Sequence, residues 1–143
     1  MELRTVRRSR IAVSGFAALS AVAGSVMVIS GWPYAFPLSW LRGTPFGSYV
    51  VPGLILGVVV GGSATLAMVA ALRNTNDGPG LSVLAGFVMM GWVVGEIALL
   101  HATMGGFTPL WPLYFGVGLA MTVLGLIAAR GSTGRVGHRV RPA

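Results

Sequence analysis

Three carboxylates, two imidazoles and no thiol make up the obvious reactive inventory of this 143-residue chain. The carboxylates are Glu2, Asp77 and Glu96, and the imidazoles are His101 and His138. Without cysteine, a disulfide framework, a thiolate metal site and a cysteine nucleophile are all excluded. Asp77 and His101 fall in segments expected on opposite sides of a bilayer, so no Ser-His-Asp arrangement forms. The two histidines and Asp77 give no metal constellation either. No metal or cofactor is implied, and the chain is not expected to be an enzyme.

Glu96 is the sharpest of these signals because it interrupts an apolar run, residues 81–103. It stands seven residues from the outer end of that run, about 10 Å deep as helix. An ionisable group at such depth is costly and calls for a partner or a task. Trp92 stands one turn earlier on the same face, and His101 is five residues on, about 140° away. Residues 23–24, 56–57 and 116–118 are level with Glu96 and carry little side-chain volume. Three readings follow. Glu96 ties helices together through Tyr114, Ser25 or Tyr49, with Tyr114 the favoured partner. It is instead the coupling carboxylate of a proton- or cation-linked transporter or channel. Or it is the counter-ion of a cationic ligand or of a partner subunit's arginine.

The basic residues have a different meaning. All ten are arginine, and the formal net charge is +7. Nine lie at the termini or in one short loop, with no interleaved aromatics, so nucleic acid is not the expected partner. Arg4, Arg7, Arg8 and Arg10, then Arg73, then Arg130 and the arginines after it mark one face of a membrane and touch anionic lipid there. Only Arg42 falls on the other side. Nine against one puts both termini in the cytoplasm.

The elements that hold these residues are legible from hydropathy. Charged residues are 9% of the chain and apolar residues 55%, against about 25% charged in a soluble domain. Four apolar runs, residues 11–30, 49–72, 81–103 and 110–129, are each long enough to cross about 30 Å of hydrocarbon as helix. The fold class is thus all-α, a polytopic four-helix transmembrane bundle. Residues 1–10 form a basic cytoplasmic start, and residues 130–143 a basic tail expected to be disordered. The first run has the look of a signal peptide, with a small-residue site at Ala21-Val22-Ala23, but it stays apolar beyond that site and is expected to remain uncleaved.

Residues 31–48 form the longest loop and carry Pro33, Pro37 and Pro45, which break any long helix. The loop is expected to lie on the outer membrane surface as a cap. Trp32, Tyr34, Phe36, Trp40, Phe46 and Tyr49 around it, and Phe107, Trp111, Tyr114 and Phe115 around the last loop, suit the outer interface. Thr44-Pro45 and Thr108-Pro109 form a faint internal echo.

Glycine marks the helix contacts. Gly53, Gly57 and Gly61 form one stripe on the second run, and Gly91 and Gly95 a shorter one on the third. Ala17, Ala21 and Ser25 add a small-residue stripe on the first. Lipid provides little hydrophobic drive between helices, so association rests on close backbone approach at such stripes. They serve equally well inside one bundle or between chains.

Two stretches resemble a known group. One is Pro45-Phe46, then Tyr49-Val50-Val51-Pro52-Gly53-Leu54-Ile55-Leu56 and Gly61-Gly62. The other is Trp92-Val93-Val94-Gly95-Glu96 followed by Leu110-Trp111-Pro112-Leu113-Tyr114-Phe115-Gly116-Val117-Gly118. Over residues 44–125 the chain resembles small bacterial four-span membrane proteins to which no activity is attached. The resemblance implies the four-span fold and raises Glu96, Tyr114 and the two proline-bearing helix starts above other residues. The expected role is that of a small multi-pass protein of the bacterial cytoplasmic membrane. It would act through helix–helix contact, as an accessory or assembly partner or as a homo-oligomer. The alternative is a small transporter using Glu96.

Overall fold

The computed structural model describes residues 2–33 and 35–138, with the backbone alone for 135–138. Tyr34 and the arginines after residue 138 lie outside the described residues. Four long helices account for the chain: α1, Leu3–Ser30; α2, Val50–Arg73; α3, Gly78–Met104; and α4, Leu110–His138. Each has a stretch long and apolar enough to cross a membrane.

The helix ends follow from local chemistry. α1 stops at Gly31, whose φ of 70° is left-handed and whose N–H reaches the Met27 carbonyl at 2.9 Å. α2 stops at Asn74, a residue type tolerant of its φ of 54°. Pro52, Pro79 and Pro112 each sit in a first helical turn, where the missing N–H costs no ladder bond. The Thr-Pro echo becomes a pair of like turns. Thr44 Oγ1 accepts from the Phe46 N–H at 3.3 Å, and Thr108 Oγ1 from the Leu110 N–H at 3.3 Å.

Two helices outrun the apolar runs. α1 begins eight residues before residue 11, and α4 continues to His138. Residues 131–138 are therefore helical, where a disordered tail was expected. Helix propensity needs no apolar side chains, and Leu3 packs where a Cβ on Gly131 would stand, 2.6 Å away. That contact puts the start of α1 beside the end of α4, at what we call the terminal end of the bundle. The other end is the capped end.

The helices form a ring in chain order, with α1 on α2, α2 on α3, α3 on α4 and α4 back on α1. Its centre is narrow and lined chiefly by alanine: Ala17, Ala18, Ala21, Ala64, Ala67 and Ala85, with Val60, Met89 and Met121. Small residues let the backbones approach, which is how apolar helices associate in lipid. Within α2, Ile55–Val60 is wound as a π-helical segment. Just ahead of it, the Gly53 carbonyl accepts a 2.6 Å hydrogen bond from Ser25 Oγ of α1.

Residues 31–49 fold back over the capped end. A short 3₁₀ turn, Leu38–Leu41, buries Leu41, and the Trp40 carbonyl accepts from Thr103 Oγ1 of α3 at 2.7 Å. Tyr49 donates its hydroxyl to the Pro37 carbonyl at 2.8 Å, and Phe36 packs between Trp40 and Tyr49. The loop is a cap pinned to α3 through Thr103.

Candidate functional site

α3 brings Glu96 and Trp92 together on one face, four residues apart. Glu96 is half-buried. None of the three expected helix-tying partners serves it. Tyr114 stacks its ring on Phe16 of α1 at 6.4 Å, with the planes 16° apart. Ser25 is committed to the Gly53 carbonyl and Tyr49 to the Pro37 carbonyl. Arg42 is exposed in the cap. The expected Glu96–Tyr114 tie is therefore corrected. Tyr114 instead packs its ring against Phe16 of α1, and no hydrogen bond joins its hydroxyl to Glu96 among the described residues.

The low-volume layer level with Glu96 does not open a pocket around it. Gly57 is met by Ser25, Gly24 by Leu56, and Gly118 by Met89 and Met90. Gly116 instead opens onto an outward groove of about 530 Å³ between α1 and α4, lined by Phe16, Leu113 and other apolar side chains. His101 is exposed near the capped end, its ring 6.3 Å from that of buried Trp111.

The two glycine stripes part company. A Cβ on Gly53 would come within 2.5 Å of Ile29, one on Gly57 within 2.5 Å of Ser25 Oγ, and one on Gly61 within 3.2 Å of Val22. That whole stripe is taken up in the α1–α2 contact. Gly91 and Gly95 have no atom within 4 Å of where a Cβ would stand. Their expected part in packing the bundle is thus corrected: they face outward from α3.

The tightest contact in the bundle was missed in the sequence. A Cβ on Gly118 of α4 would lie 2.8 Å from the Gly86 carbonyl, and one on Gly125 2.8 Å from the Pro79 carbonyl. Gly86 in turn faces Thr122 Oγ1 and the Gly118 carbonyl. The signal is there as the seven-residue interval from Gly118 to Gly125, two turns on one face.

Of the arginines assigned to the membrane surface, Arg4, Arg7, Arg8, Arg73 and Arg130 are exposed. Arg10 is a correction. Only 6% exposed, it reaches across the ring from α1 to α3, where its Nε donates to Ser82 Oγ at 3.0 Å. The reason is helical phase. Val6, Arg10, Ser14, Ala17, Ala21 and Ser25 form one buried stripe at intervals of three and four, so Arg10 shares the face that α1 presents inward.

Four apolar spans around an alanine-rich centre define a multi-pass membrane protein. No family model matches the chain, and no curated protein or solved structure shows significant similarity to it.

Proposed function

We propose that this protein is a multi-pass component of the bacterial cytoplasmic membrane, with both termini cytoplasmic. It acts through helix–helix contact as an accessory or assembly subunit, or as a homo-oligomer, and not as an enzyme. The observation that carries the reading is the outward face of α3. Gly91 and Gly95 leave a small-residue stripe with nothing packed on it. Glu96, next to that stripe, is half-buried and has no side-chain hydrogen bond to another helix among the described residues. A small stripe allows close approach of another helix, and a carboxyl group in a span favours a polar or cationic partner there. The Gly53–Gly57–Gly61 stripe offers no such face, because α1 already occupies it.

The absence of cysteine makes a direct test practical. A single Gly95→Cys substitution, alkylated with a maleimide photocrosslinker and irradiated in native membranes, should give a covalent adduct of defined mass. Gly62→Cys on α2, equally free of neighbours, should not. A dimer of the chain identifies the homo-oligomer, and a heavier adduct identifies an accessory partner. No adduct at Gly91→Cys or Gly95→Cys, with the protein intact, overturns the reading.

A further inference from the structure

The terminal end of the ring holds a cationic cluster that the α3 contact face does not involve. Arg10 satisfies its Nε on Ser82, yet its Nη2 is enclosed and has no hydrogen-bond partner among the described residues. One turn along α1, Ser14 Oγ is likewise enclosed and unpartnered, with Ser14 1% exposed. Ser82 on the facing helix is fully buried. The unpartnered Nη2 lies 3.0 Å from where a Cβ on Gly78 would stand, so the guanidinium is aimed at the first turn of α3. No side chain caps that helix start. Asp77, at the N-cap of that helix, is exposed and does not pair with Nη2.

A buried guanidinium without a counter-charge is a strongly unfavourable arrangement, and it is relieved by an anion that takes up the free donors. The uncapped N-terminus of a 27-residue helix adds positive potential at the same point. The level in the bilayer selects the anion. From Arg10 to Ser30, α1 rises about 30 Å, the thickness of the hydrocarbon core. Arg10 therefore lies at headgroup depth, turned into the bundle and not outward to lipid.

We propose that Arg10, Ser14 and Ser82, at the Gly78 end of α3, form a binding site for a phosphate group. Arg10 Nη2 and the Ser14 and Ser82 hydroxyls donate to the phosphate oxygens once the first turn of α3 moves off the guanidinium, since both unpartnered atoms are enclosed. The phosphate belongs to the headgroup of an anionic phospholipid or to free inorganic phosphate, and both present the same oxyanion. The exposed arginines nearby in sequence, Arg7, Arg8 and Arg73, raise the local concentration of anions without contacting the bound one.

The test uses the full chain purified in a nonionic detergent and titrated separately with phosphatidylglycerol, phosphatidylcholine and inorganic phosphate. Native mass spectrometry counts bound lipid, and the melting temperature reports stabilisation. The wild type should retain one phosphatidylglycerol per chain and melt higher with it, and phosphatidylcholine should do neither. Arg10→Gln should weaken that binding roughly tenfold or more, and Ser14→Ala by a smaller factor. Arg42→Gln, in the cap at the opposite end of the bundle, should leave it unchanged. Stabilisation of the wild type, but not of Arg10→Gln, by inorganic phosphate alone also supports the site and assigns a soluble source. Equal binding by wild type, Arg10→Gln and Ser14→Ala overturns the proposal, as does a wild type that responds to neither probe. Should Arg10→Gln fail to fold, Ser14→Ala and Gly78→Ala decide, and wild-type affinity in both overturns it.

Discussion

The α1–α2 seam and the outward face of α3 begin from the same motif and end differently. Gly53, Gly57 and Gly61 recur every four residues, as do Gly91 and Gly95. The first set is pressed against Ile29, Ser25 and Val22, and the second has no neighbour. A glycine stripe on a membrane helix thus states that close approach is allowed, not who approaches. The answer comes from the partner surface. α1 offers a matching stripe of Ala21 and Ser25, with Ser25 Oγ also tied to the Gly53 carbonyl. α3 spends its matching surface lower down, where Gly86 meets Gly118.

Substitutions can break this contrast in order of severity. The largest effect is expected at Gly118→Leu, whose new side chain would meet the Gly86 carbonyl, a backbone atom that cannot turn aside. A loss of about 3 kcal/mol or more in unfolding stability is expected, read from denaturant titration in detergent. Gly57→Leu comes next, because Ser25 can rotate away at the cost of its bond to Gly53. We expect a loss of about 1–3 kcal/mol there, and an unchanged titration would mean that the α1–α2 seam is not close-packed.

Gly95→Leu should leave unfolding within about 0.5 kcal/mol of wild type, since its side chain enters open space. The same change should abolish association, seen as a smaller particle by light scattering in mild detergent. If instead it destabilises the monomer as Gly57→Leu does, the two stripes are equivalent and the contrast fails. Glu96→Gln is subtler still. It keeps the shape and the capacity to hydrogen-bond, so stability should hold to within about 0.5 kcal/mol. Assembly with a cationic partner should weaken, whereas loss of an ion or proton flux in reconstituted vesicles with assembly intact would favour the transporter.

The smallest effect concerns the cap. Burial raises the Tyr49 phenol above its ordinary value of 10.0. A raised value means that the neutral, donating form is favoured when folded, so the cap holds below about pH 10 and loosens as pH climbs through the raised value. Trp40 fluorescence should report that loosening, and Tyr49→Phe should remove the pH dependence.

Much of the architecture could be read before any coordinates. Residues 49–72 and 81–103 differ from the observed helices by one to three residues at each end, because the loops between carry strong turn formers such as Asn74 and Gly105. The cap was legible in its prolines and aromatics. The candidate site was legible in part. Glu96 and Trp92 do share a face, since a four-residue interval dictates it. That Tyr114 packs on Phe16 of α1 rather than meeting Glu96 was not recoverable, because the rotation of one helix about its axis relative to another depends on every contact between them. Arg10 shows the converse. Its inward phase is written in the interval to Ser14 and Ala17, but charge suggested the surface more loudly than spacing suggested the core.

Hydropathy alone determined that four helices cross about 30 Å of hydrocarbon, since no other use of so many uncharged residues satisfies their backbone hydrogen bonds in lipid. It also set which residues share each helix face, because 3.6 residues per turn is a local property. Only the tertiary structure decided which stripe meets which. It seated Ser25 on Gly53, drew Gly118 against Gly86, left Gly91 and Gly95 open, and turned Arg10 across the ring to Ser82. Those outcomes follow from helix rotation, tilt and depth, which the whole set of contacts fixes together and no single segment encodes.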